Sequence, residues 1–81
     1  MRLTLYYREN CHLCDDFRRA LLRLQPELGF ETDEVDIDRD VGLVRRFDSR
    51  VPVLSLGEQE ICHYFLDETA LRAALAADSA D

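Results

Sequence analysis

The stretch LTLYYRENCHLCDDFRRALLRLQP, Leu3 to Pro26, decides the fold. Leu3 to Tyr7 is a short apolar and aromatic run, and the polar Arg8-Glu9-Asn10 after it has the composition of a turn, so a first strand is predicted over 3–7. From about His12 to Gln25 the apolar residues Leu13, Phe17, Ala20, Leu21 and Leu24 recur at three- and four-residue steps, which predicts a helix closed by Pro26 and Gly29. Asp15 and Asp16 fall in its first turns and Arg18, Arg19 and Arg23 further on, the order that the peptide dipole favours. Asn10 or Cys11 is the expected cap.

Working outward, Phe30 to Asp38 places Val35 and Ile37 on one face amid five acidic residues, the pattern of an edge strand whose charge discourages foreign pairing. Strand, helix and strand within so short a span make a βαβ unit, hence a parallel pair with a right-handed crossover. Asp40 to Phe47 reads as a short second helix interrupted by Gly42, which weakens it. Val51 to Leu54 and Glu60 to Phe65 read as two strands of an antiparallel hairpin turning near Gly57. Asp67 is suited to cap a last helix, Glu68 to Ala77, and Asp78 to Asp81 are expected to fray. The expected architecture is α/β, in the order β-α-β-α-β-β-α: a four-stranded mixed sheet with helices on both faces. The 81 residues fit one domain, with no internal repeat or linker.

Seventeen acidic side chains against ten basic ones give a net charge of −7, a surface that repels nucleic acid and anionic lipid. Every basic residue is arginine, so chemistry that needs a lysine, such as Schiff-base formation or the phosphate-loop contact, is excluded. The opening MRLTLYYREN has no long apolar run of the signal-peptide kind, and the expected compartment is the reducing cytoplasm. Three cysteines there do not suggest a structural disulfide framework.

Cys11-His12-Leu13-Cys14 lies where the first strand hands over to the first helix. Cysteines three apart in a helical turn have Cα atoms about 5–6 Å apart, a span that a disulfide bridges without backbone movement. Cys11, at the helix entrance, faces unpaired amides that stabilise an anion, whereas Cys14 is a turn deeper, so Cys11 is expected to be the nucleophile and Cys14 the resolving thiol. Helix entry, Arg8 and His12 favour the Cys11 thiolate, and Asp15 and Asp16 oppose it. A zinc half-site and a pair of inert buried thiols are the competing readings of such a pair; for a metal, Cys62, His63 and His12 are the remaining candidate ligands. The 47-residue gap from Cys14 to Cys62 matches no common finger spacing, and Cys62 and His63 point to opposite faces of a strand. Cys62 itself reads as a small strand hydrophobe.

A CxxC after the first strand of a βαβ unit, with Val51-Pro52 opening a later strand, resembles the glutaredoxins of the thioredoxin-fold superfamily over essentially the whole chain. The resemblance is closest to the small bacterial glutaredoxin-like proteins. It implies that Cys11 and Cys14 are the active-site pair and that Arg8 takes the place of a lysine beside the thiolate. It also implies that Pro52 is a cis-proline facing the cysteines, with Val51 offering its backbone to substrate. Leu13 is expected either to dock substrate beside the site or to open the helix core, the latter favoured by its period with Phe17. Asp67 is expected to cap the last helix, or to hold a substrate carboxylate together with that helix entrance. The chain departs from the family at three places: His12-Leu13 between the cysteines, Arg50 before Val51-Pro52, and Cys62-His63-Tyr64-Phe65-Leu66-Asp67 where glutaredoxins carry a Gly-Gly that admits glutathione.

The function implied is a thiol–disulfide oxidoreductase that reduces a disulfide-containing protein or a glutathione mixed disulfide. Electrons would return from a reductase or from glutathione, with no bound metal or prosthetic group. The alternatives are a metal or iron–sulfur carrier and a non-catalytic interaction domain.

Overall fold

The computed structural model describes residues 1–79. Four strands, β1 (Arg2–Tyr7), β2 (Glu31–Asp36), β3 (Val53–Leu56) and β4 (Gln59–His63), and three helices, α1 (His12–Leu28), α2 (Val41–Phe47) and α3 (Glu68–Ser79), follow in the predicted order, with a 3₁₀ turn over Ile37–Arg39. The sheet runs β2-β1-β3-β4. β1 and β2 are parallel, β3 is antiparallel to β1, and β4 is antiparallel to β3.

Alternation along the two central strands divides the apolar side chains between the two faces. Leu3 and Leu5 of β1 and Leu54 of β3 pack with Phe17 and Leu21 of α1 and Leu71 and Leu75 of α3. Val53, on the opposite face, packs with Ile37 and Phe47, and Tyr6 lies against the same cluster with its ring stacked 4.4 Å from that of Phe47. The sheet is therefore covered by α1 and α3 on one side and by α2 on the other.

Several boundaries differ from the sequence reading. Pro26 does not close α1, which continues to Leu28 and ends on Gly29 in the left-handed conformation (φ 71°), whose N–H bonds the Gln25 carbonyl. Proline removes the bond to the carbonyl four residues back, but Leu22 and Pro26 are both exposed, so the freed carbonyl lies on the solvent side. The second strand is shorter than Phe30 to Asp38, because Asp36 accepts from the Asp38 N–H and starts the 3₁₀ turn at Ile37. Gly42 suits α2, since the Asp40 cap accepts its N–H at 2.8 Å and an added Cβ would stand 3.1 Å from that carboxylate oxygen. β3 begins at Val53 instead of Val51, after a cis bond between Val51 and Pro52. β4 runs from Gln59 to His63 instead of Glu60 to Phe65, because Tyr64 turns left-handed. α3 extends through Ser79, so Asp78 and Ser79 of the tail expected to fray are helical, while its last two residues, Ala80 and Asp81, lie outside the described residues.

Candidate active site

The register brings three chain segments to one end of the sheet. Val53 is opposite Tyr6 on one side and His63 on the other. The next residues outward are therefore Tyr7, leading to the cysteine turn, the cis-bonded Pro52, and Tyr64.

The cysteine turn is made by Asn10, whose left-handed backbone (φ 57°) is one that Asn tolerates better than most residues. The chain then enters α1 with Cys11 as the cap, in extended conformation. A sulfur occupies the place of the usual capping oxygen: the Cys14 N–H donates to Cys11 Sγ at 3.2 Å, and the Asp15 N–H to the Cys11 carbonyl at 3.1 Å. Cys11 and Cys14 are joined as a disulfide with Cα atoms 5.2 Å apart. Cys14 is fully buried and Cys11 half-exposed, so only one end of the pair meets solvent.

The neighbouring residues are less uniformly engaged with the sulfurs. Arg8 directs its guanidinium to Asp38 at 2.8 Å and to Asp48, and these carboxylates hold it well above its usual basicity, while Arg8 holds Asp38 below the ordinary carboxyl value of 3.8. Arg8 thus ties the end of β1 to the 3₁₀ turn and to the end of α2, a role that sequence alone conceals because its partners lie 30 and 40 residues away. His12 is largely exposed and reaches Asp16 at 3.2 Å. Leu13 is half-buried and belongs to neither apolar cluster, so its period with Phe17 does not carry it into the core.

Val51 is half-buried against the α2 cluster, and Pro52 is buried. The Pro52 carbonyl accepts the Tyr64 N–H at 2.9 Å. Asp67 accepts the Ala70 N–H at 2.9 Å and so caps α3. Cys62 is half-buried against the α1–α3 cluster, and burial pushes its thiol up. The sequence reading assigned no role to Tyr64, which the structure fastens to the cis-proline loop; the signal available was its place in the Cys62–Asp67 segment, which stands where glutaredoxins carry a Gly-Gly. Among the described residues His, Cys, Asp and Glu side chains form no group of three able to hold a metal ion, and no helix is long and apolar enough to cross a membrane.

Comparisons with known proteins agree with this geometry. Residues 2–76 match the family described as Glrx-like, a glutaredoxin-like domain (DUF836). Uncharacterized proteins of Mycobacterium bovis and Mycobacterium tuberculosis are 32% identical over 80 residues, covering 93% of this chain and 82% of theirs. The solution structure of protein Ne2328 from Nitrosomonas europaea is similar with a TM-score of 0.82 and 41% identity, over 90% of this chain and 88% of that one. The glutaredoxin-like NrdH-redoxin of Escherichia coli shares the fold, with a TM-score of 0.62 at 22% identity over 89% and 93% of the two chains.

Proposed function

The chain belongs to the glutaredoxin-like domain family (DUF836), and on that premise we propose that it is a thiol–disulfide oxidoreductase. The observation that carries this reading is the donation of the Cys14 amide to Cys11 Sγ at the mouth of α1, with Cys11 open to solvent and Cys14 beneath it. An amide that caps a sulfur favours its anion, the form that attacks disulfides.

In the reduced protein, the Cys11 thiolate attacks one sulfur of a substrate disulfide. A Cys11–substrate bond forms, the substrate bond breaks, and the departing thiolate takes up a proton. Cys14 loses its proton and attacks Cys11 Sγ, which closes the Cys11–Cys14 bond and expels the second substrate thiolate. Two electrons pass from the dithiol to the substrate, and a reductase or glutathione restores the dithiol in the reducing cytoplasm. No resident metal or organic cofactor takes part. Arg8 and His12 add a smaller stabilisation of the thiolate than the helix entrance, because each is paired with carboxylate. Val51 offers backbone to the substrate, Pro52 holds that loop in place, and Leu13 and Asp67 supply apolar and charged edges of the docking surface.

Two variants test the reading. Cys11→Ser is expected to abolish disulfide reduction, and Cys14→Ser to accumulate a mixed disulfide through Cys11, seen as a mass adduct released by dithiothreitol. Turnover like the wild type by both variants would refute it.

A further inference from the structure

Resting on the oxidoreductase reading, we propose that Tyr64 is the specificity residue of this site and that it selects disulfides in extended polypeptides, flanked by a bulky apolar side chain, over glutathione disulfides. Tyr64 holds a left-handed backbone (φ 64°), a conformation that glycine adopts without steric cost and side-chain-bearing residues rarely do. Packing does not explain the choice of tyrosine, since it belongs to neither apolar cluster and remains 38% exposed.

The ring is nonetheless held in place. Its hydroxyl donates to the Ser49 carbonyl, its N–H to the Pro52 carbonyl, and its ring meets the His63 ring edge-on with centroids 4.8 Å apart. These anchors tie an aromatic surface to both sides of the Val51–Pro52 bond, at the same end of the sheet as the cysteine turn. Phe65, 70% exposed, continues that surface. Beyond it a shallow groove is lined by Phe65 and Leu66 and rimmed by Asp67 and Glu68.

A rigid, exposed ring offers contact area to an apolar side chain at small entropic cost. Glutathione has no such side chain and carries two carboxylates, which would be repelled by Asp67, a rim carboxylate that pairs with no cation among the described residues, whereas Glu68 is paired with Arg72. A polypeptide disulfide flanked by phenylalanine has the complementary chemistry: an aromatic contact for Tyr64 and Phe65, and no carboxylate for the rim to repel.

The test is single-turnover oxidation of the reduced protein by two probes, a disulfide-bonded peptide with phenylalanine beside the attacked cystine and glutathione disulfide. The wild type is expected to favour the peptide, and Tyr64→Gly to lower the peptide-to-glutathione rate ratio by about tenfold. Tyr64→Phe, which keeps the ring, is expected to retain most of the preference. Because a ratio is read, a partly unfolded variant does not mimic the effect. A ratio unchanged within twofold in Tyr64→Gly, both reactions still proceeding, overturns the assignment while leaving the oxidoreductase reading intact. Failure of the wild type to react with either probe overturns both.

Discussion

A sulfur that accepts an amide hydrogen at a helix entrance holds negative charge more readily than one in water, and Cys11 is placed so by the Cys14 N–H. The position was legible in the sequence because the turn residues, the cysteine spacing and the helical period lie within one short stretch. The setting of Arg8 was not. Three residues before Cys11 it resembles a free cation beside a thiolate, but folding brings Asp38 and Asp48 onto its guanidinium. The cluster as a whole carries one negative charge, so removing the arginine alone exposes two carboxylates to the end of β1. Arg8→Gln is therefore expected to slow alkylation of reduced Cys11 by iodoacetamide at pH 7 by about threefold, and adding Asp38→Asn and Asp48→Asn to restore or exceed the wild-type rate. Slow alkylation persisting in the triple variant would mean that Arg8 acts on the sulfur directly.

Among the elements, α1 shows how local signals and packing compete. Phe17 and Leu21 bury one face between sheet and α3, and this anchoring carries the helix past Pro26 to the glycine stop at Gly29. The sequence shows both residues but not which of them ends the helix, because the outcome depends on whether the carbonyl freed by proline can reach water. The same difficulty applies to β3: Val51-Pro52 has the composition of a strand opening, yet the strand begins at Val53. Two substitutions separate the effects in α1. Pro26→Ala restores an N–H donor and is expected to stabilise the protein by about 1 kcal/mol, the helical gain being partly offset by a more flexible unfolded chain. Gly29→Ala, forced into the left-handed region although no atom within 4 Å opposes the new methyl, is expected to cost about 1–2 kcal/mol. Urea midpoints at constant m-value check both, and destabilisation by Pro26→Ala would show that the proline is needed where it stands.

For the whole molecule, the element order, the parallel β1–β2 pair, the β3–β4 hairpin and the two apolar layers followed from periodicity and connection rules, whereas the placement of β3 beside β1 and the charged surface did not, because a pairing between distant residues leaves no local pattern. With seventeen carboxylates, ten arginines and no lysine, the guanidinium fork has a structural use. Arg2 joins β1 to Glu31 and Asp33 of β2, and Arg18 joins α1 to Glu34 of β2. Arg8 spans Asp38 and Asp48, Arg50 spans Glu60 and the Arg46 carbonyl, and Arg72 spans Glu68 of its own helix and Glu27 of α1. Lysine carries the same charge as a point without the planar fork, so it cannot hold two acceptors in the same fixed geometry. Replacing Arg2, Arg8, Arg18, Arg50 and Arg72 together by lysine is thus expected to lower Tm by several degrees at unchanged net charge. The same replacement at Arg23, Arg39 and Arg45, which form no ion pair among the described residues, is expected to leave Tm nearly constant. Equal Tm values for the two lysine variants would show that charge balance, and not the bridging geometry, supports the fold; a drop confined to the first set would assign the stabilisation to the fork.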